Sequence, residues 1–218
     1  MRNKINIDNL DYNYYNNSKS IFKEYSMYID YLTIIMINLV AGTALLAFYL
    51  YKGFEAEDQR PFSSGFGIVG LLGITLGLVL TLTWPLPGSY NIAYGEATTL
   101  FGGVFLATAF ALYHRWDLKP VTVFAFFAGI YAVIVGIRII SLGLTKEPVI
   151  SGVGFILAGL GGVLAFPTFG LLKNKTFRLL VVAVLVITAL LWAATFYTSL
   201  WAHLDSFKNW VPVLMRGG

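Results

Sequence analysis

Glu96 and Arg138 are ionisable side chains that stand inside long apolar stretches of this chain. Charges in such surroundings are rare, turn toward the interior of a helix bundle, and usually pair. If the apolar segments around them form a hairpin turning near Asp117, Glu96 lies 21 residues before the pivot and Arg138 lies 21 after it. Equal counts put both groups at one depth, toward the end opposite the turn, and predict an ion pair. Such a pair could pin two helices together, bind a headgroup or a substrate, or relay a proton. Tyr90, Asn91, Tyr94, Thr98 and Thr99 surround the carboxylate in sequence. They can donate hydrogen bonds to it or to an anionic ligand. Pro85 and Pro87 stop the preceding helix and leave free backbone groups in need of partners. That connection is either a ligand vestibule or a capped loop.

Other chemistry is harder to assemble. The absence of cysteine excludes disulfides, thiolate nucleophiles, Fe–S clusters and thiolate zinc sites. His114 and His203 fall at the ends of the third and sixth apolar segments, which predicts opposite membrane faces and no shared metal or haem. There is no phosphate-binding loop, no dinucleotide fingerprint after a strand, and no arrangement fit for a Ser-His-Asp triad. The expectation is a protein that is not an enzyme, with no cofactor and no metal.

The elements that must hold these residues are helices in lipid. Of 218 residues, 57% are hydrophobic and 12% charged, with mean hydropathy +0.72. A soluble domain carries about twice that share of charge. The net charge of +4 comes from scattered residues rather than a basic run, so nucleic acid is not an expected partner. Six segments approach the roughly 20 residues an α-helix needs to cross the hydrocarbon core: 31–51, 64–86, 93–113, 120–142, 149–171 and 176–201. Only helices satisfy the backbone over such lengths in lipid. The predicted fold is therefore an all-α integral membrane protein with six transmembrane helices over residues 31–202. A polar N-terminal tail precedes it, and a short C-terminal tail follows over 203–218. Residues 21–32 show helical apolar spacing, which reads either as an amphipathic interfacial helix or as an extension of the first span. Membrane lipid is the surrounding partner.

Small residues recur at four-residue spacing and predict close helix packing: Gly73 and Gly77; Gly103, Ala107 and Ala111; Ala128, Ala132 and Gly136; Gly154, Ala158 and Gly162. The motif at Ser64–Gly67 returns at Ser151–Gly154, 87 residues later. That shift would make the chain two inverted three-helix repeats, a plan common in transporters, although glycine-rich helices also resemble one another by chance. Lys and Arg near the spans number seven in the first, third and fifth loops against five on the other side. The positive-inside rule then favours those loops inside a cell membrane and the termini outside.

The run Trp84-Pro85-Leu86-Pro87-Gly88, followed by Tyr90-Asn91, Tyr94-Gly95-Glu96 and Phe101-Gly102, resembles the central motif of a membrane-protein family of archaea and some bacteria. That family is catalogued as domain of unknown function 981. The resemblance covers roughly residues 30 to 202 and implies a polytopic membrane protein without carrying over any catalytic residue. Two function classes follow from the whole reading. One is a non-catalytic subunit beside other integral membrane subunits, as in a respiratory or other energy-converting complex. The other is a small-solute or ion transporter or channel built from inverted halves.

Overall fold

The computed structural model describes residues 30–211. The interfacial helix expected over 21–32 falls almost wholly outside them. Among the described residues, six helices are long and apolar enough to cross a membrane: α1 (Tyr31–Gly53), α2 (Arg60–Thr83), α3 (Asn91–His114), α4 (Lys119–Leu142), α5 (Pro148–Lys173) and α6 (Lys175–Phe207). The protein is an all-α integral membrane protein, and the helix bounds lie within a few residues of those expected, except at the C-terminal end of α6. Residues 31–202 form one compact unit. In a second, His203 Nδ1 lies 2.8 Å from Asp30 Oδ2.

Local chemistry sets the ends. Pro61, Pro120 and Pro148 occupy first-turn positions of α2, α4 and α5, where the missing N–H is not needed. Asn174 caps α6 by accepting from the Phe177 backbone N–H at 3.2 Å. The second helix ends at Thr83 rather than 86 because Pro85 disfavours helical backbone at the residue before it. Trp84 closes it as a C-cap in the left-handed conformation (φ 49°), its backbone N–H donating to the Leu80 carbonyl.

Within the six-helix unit, glycines lock two hairpins. Between α2 and α3, a Cβ added to Gly70 would run into the Leu106 backbone, one on Gly73 would lie 2.9 Å from the Gly102 Cα, and one on Gly77 would lie 2.5 Å from the Thr99 backbone nitrogen. Between α4 and α5, a Cβ on Gly159 would sit 2.7 Å from the Gly129 carbonyl oxygen, and one on Gly162 would sit 2.6 Å from that of Ala125. Backbones this close leave no room for any side chain.

Two expected packing positions lie elsewhere. Ala107 is exposed, and a Cβ on Gly103 would meet only Phe124, at 3.9 Å. The α3 seam runs through Gly95, Thr99, Gly102 and Leu106, one residue and about 100° round the helix from the expected stripe. Leu106 escapes a search for small residues because the glycine that admits it belongs to the partner helix. On α5, a Cβ on Gly154 would lie 3.1 Å from the Trp192 ring of α6, and Ala158 is half-buried. The 87-residue shift would carry the α2–α3 clasp onto α5–α6, but the second clasp lies between α4 and α5. Helix pairing does not follow the shift.

The first helix joins this frame through Asn38, whose buried Nδ2 donates to the Val69 carbonyl of α2 at 3.0 Å. An aromatic cluster follows, with Tyr49 edge-on to Phe66 at 5.6 Å and Phe66 stacked on Phe105 at 5.7 Å. Facing outward, α4 presents Phe124, Phe127, Ile134 and Ile137, and α6 presents Leu180 and Ile187. An exposed apolar face of this kind suits acyl chains.

Candidate functional site

The Trp84–Glu96 stretch is a self-bonded turn that ends in a polar contact. Asn91 is fully buried. Its Oδ1 accepts from the Leu86 N–H at 2.9 Å, and its Nδ2 donates to the carbonyls of Leu86 and Gly88. One amide thus satisfies three backbone groups of the turn that the two prolines begin. The turn is stapled from within, which favours the capped loop over the vestibule. Tyr90 Oη donates to the Leu144 carbonyl in the loop between α4 and α5. Tyr94 is buried, roughly parallel to Tyr90 and edge-on to Phe155, which is edge-on to Trp192. Thr98 is buried as well, with its backbone carbonyl 3.4 Å from the Cβ position of Gly73. Tyr90, Asn91, Tyr94 and Thr98 therefore serve the frame, and Glu96 uses none of them.

Glu96 is half-buried and accepts from Tyr131 Oη at 2.7 Å. The same hydroxyl lies 3.2 Å from the Ile92 carbonyl oxygen. It has one proton to share between them. The expected ion pair with Arg138 is not formed: Arg138 is exposed, and its Nη1 donates to Ser141 Oγ at 3.3 Å. Equal counts from the turn give equal depth only for straight, parallel helices. Here α3 is clasped to α2 and α4 to α5, so the two helices are held by other neighbours rather than side by side along their length. Tyr131 stands seven residues nearer the turn than Arg138 and on the same helix face, and it supplies the partner.

A buried charge lies at the other end, where α1, α3 and α5 finish. The Arg178 side chain is 6% exposed and faces a Glu55 carboxylate that is 62% exposed. Arg178 Nη1 donates to Glu55 Oε1 at 2.9 Å and to the Leu172 carbonyl at 2.8 Å, Nη2 meets Oε2, and the guanidinium lies 5.7 Å from the Phe54 ring. Next to it, Tyr49 Oη donates to Gln59 Oε1 at 2.6 Å, and Gln59 Nε2 donates to the Phe54 carbonyl. A recess of about 350 Å³ opens here, with Tyr49, Glu55, Gln59, Trp116, Asp117 and Lys173 on its walls. Arg178 is one of the seven cations that the sequence assigns to the first, third and fifth loops. The available signal was its place three residues into an apolar helix, after Lys175-Thr176-Phe177.

Nearby, Asp58 accepts from Arg60 Nε and Nη2, each at 2.9 Å, with Arg115 at 3.9 Å. The Arg60 hydrogen bonds hold the exposed Asp58 carboxyl down at about 2. His114 stacks on Trp116 at 4.8 Å. Among the described residues, no three His, Asp or Glu side chains gather where a metal could bind. What these groups can do is fix helix ends and hold a polar surface against an apolar interior.

A family model described as a protein of unknown function (DUF981) matches residues 26–206. The chain belongs to the DUF981 family. The match spans α1 to α5 entirely and all of α6 but its last residue, so the two clasped hairpins, the stapled turn and the Glu55–Arg178 pair all lie inside the DUF981 region. No curated protein and no solved structure matches the chain.

Proposed function

We propose that this DUF981 protein is a non-catalytic integral membrane subunit that packs beside other integral membrane subunits in a larger assembly. The observation that supports this reading is the pair of glycine clasps. Helices whose backbones touch at Gly70, Gly73, Gly77 and Gly102, or at Gly129, Gly159 and Gly162, cannot slide past one another without collision. A rigid bundle suits a part that holds a place. Alternating access instead needs one bundle to rock against another around a central site. Four polar side chains of the interior support the same reading: Asn38, Asn91, Glu96 and Arg178 are each committed to a partner within the chain. The reading carries an orientation in the cell membrane, with the first, third and fifth loops on the cytoplasmic side.

The test is extraction from the native membrane in a mild detergent, followed by size separation and identification of what travels with the chain. The expected result is co-migration with other integral membrane proteins. A lone monomer or homodimer, together with solute flux in vesicles holding the purified chain alone, would overturn the reading in favour of a transporter.

A further inference from the structure

The outer surface between α1 and α6 is a groove rather than a ridge. It is lined by Val40, Ala44 and Ala47 from α1 and by Val186, Ala189 and Ala193 from α6, and it holds about 390 Å³. The residues fall at steps of four and three, one stripe along each helix. With Tyr51 and Val182 completing the stripes, the groove runs for about 16 Å, half the thickness of the hydrocarbon core. Its alanines make it narrow and apolar.

The loop end of the groove is positive. Tyr51 closes it on the α1 side, and Lys52 Nζ sits 5.0 Å from the centroid of the Tyr51 ring. On α6, Lys175 lies seven residues before Val182, on the same stripe and about 10 Å further toward the membrane surface. Both lysines are exposed, and neither has an ion-pair partner among the described residues. By contrast, Arg60 and Arg178 at this end are paired with Asp58 and Glu55, and Arg115 lies 3.9 Å from the same Asp58.

We propose that this groove is a binding site for an anionic phospholipid, with an acyl chain along the alanine stripe and the phosphate held by Lys52 and Lys175. Inside a bilayer, apolar surface alone does not select an occupant, because lipid tails are as apolar as leucine. The charge at the mouth selects instead. An apolar slot that ends in two unpaired ammonium groups, at the depth where lysine reaches the headgroup layer, matches an amphiphile with a negative head. This site is independent of the subunit reading, since a lone bundle and an assembled one would hold the lipid alike.

The test uses the full chain in detergent, with native mass spectrometry after addition of dioleoylphosphatidylglycerol or dioleoylphosphatidylcholine. The wild-type chain should retain one phosphatidylglycerol in clear preference to phosphatidylcholine. Each lysine near an anionic lipid contributes roughly fivefold, so K52Q with K175Q should cut that preference by roughly twenty-five-fold. A44L with A189L fills the slot and should lower retention of both lipids while leaving the lysines in place. Equal retention of the two lipids by the wild type, or an unchanged preference in the lysine variant, overturns the proposal. An A44C variant of this cysteine-free chain probes the other occupant. Efficient disulfide formation between two copies in the membrane would show that a second copy covers the groove, and would overturn it too.

Discussion

Arg178 and Glu55 form an ion pair with unequal ends, and the inequality decides which partner matters more. The guanidinium is inside and the carboxylate is largely in water. Removing Glu55 leaves a buried cation with only the Leu172 carbonyl and the Phe54 ring, whereas removing Arg178 leaves an exposed carboxylate that water can solvate. Glu55→Ala should therefore cost about 2–3 kcal/mol, the range of a charged hydrogen-bonded contact, and Arg178→Met should cost less; thermal unfolding in detergent measures both. Near the other end, the coupling partner of Glu96 is Tyr131. A double-mutant cycle of Glu96→Gln with Tyr131→Phe should show an interaction of about 0.5–3 kcal/mol, while Glu96→Gln with Arg138→Met should be additive within about 0.5 kcal/mol. Coupling in the second cycle and none in the first would restore the ion pair read from the sequence. Asp58 belongs to this scale as well. Its folded carboxyl, at about 2, lies below the unfolded value near 4. Its contribution to stability is thus complete above about pH 4 and fades as pH falls toward 2. An Asp58→Asn variant should lose that dependence, read as a flatter unfolding temperature over the same window.

At the scale of the helix, the seams depend on particular glycines rather than on glycine content. A Cβ at Gly159 would press on the Gly129 carbonyl and on Val133, whereas one at Gly161, two residues along the same helix, has nothing within 4 Å. Gly159→Ala should cost about 1–3 kcal/mol through forced separation of α4 and α5, and Gly161→Ala should be neutral or slightly stabilising through better helix propensity; unfolding of the two variants side by side decides it. The same pair shows what the chain made legible. Length and apolarity place six helices, because lipid imposes both on every span. The four-residue rule marks Gly73, Gly77 and Gly162, where the small residue itself is the point of contact. It misplaces Gly103 and Ala107, because two adjacent stripes of α3 are both rich in small residues and only the partner helix chooses between them. Glu96 is legible as the intramembrane acid. Its partner is not, since depth was inferred from a hairpin whose two helices are held by different neighbours.

For the molecule as a whole, the open question with physical content is which way it crosses the membrane. The end that carries Glu55, Asp58 and Asp117 also carries Lys52, Arg60, Arg115, Lys119, Lys173, Lys175 and Arg178. Ion pairing at Asp58 and Glu55 neutralises part of that charge in the folded protein, but orientation is set during insertion, when Lys and Arg near the spans count and acidic residues contribute little. The bias toward a cytoplasmic location for this end is therefore undiminished by the pairs seen here. Because the chain has no cysteine, single thiols placed at Glu57 in the first loop and at Lys146 in the fourth report the two faces without background. An odd number of crossings separates them, so a membrane-impermeant maleimide added to intact cells should label Lys146→Cys and spare Glu57→Cys until the cells are opened. Labelling of both from outside would break the six-span topology. The reverse pattern would keep the topology and turn the molecule over, placing Lys52 and Lys175 against the outer leaflet, where the anionic lipid they are proposed to hold would have to be found.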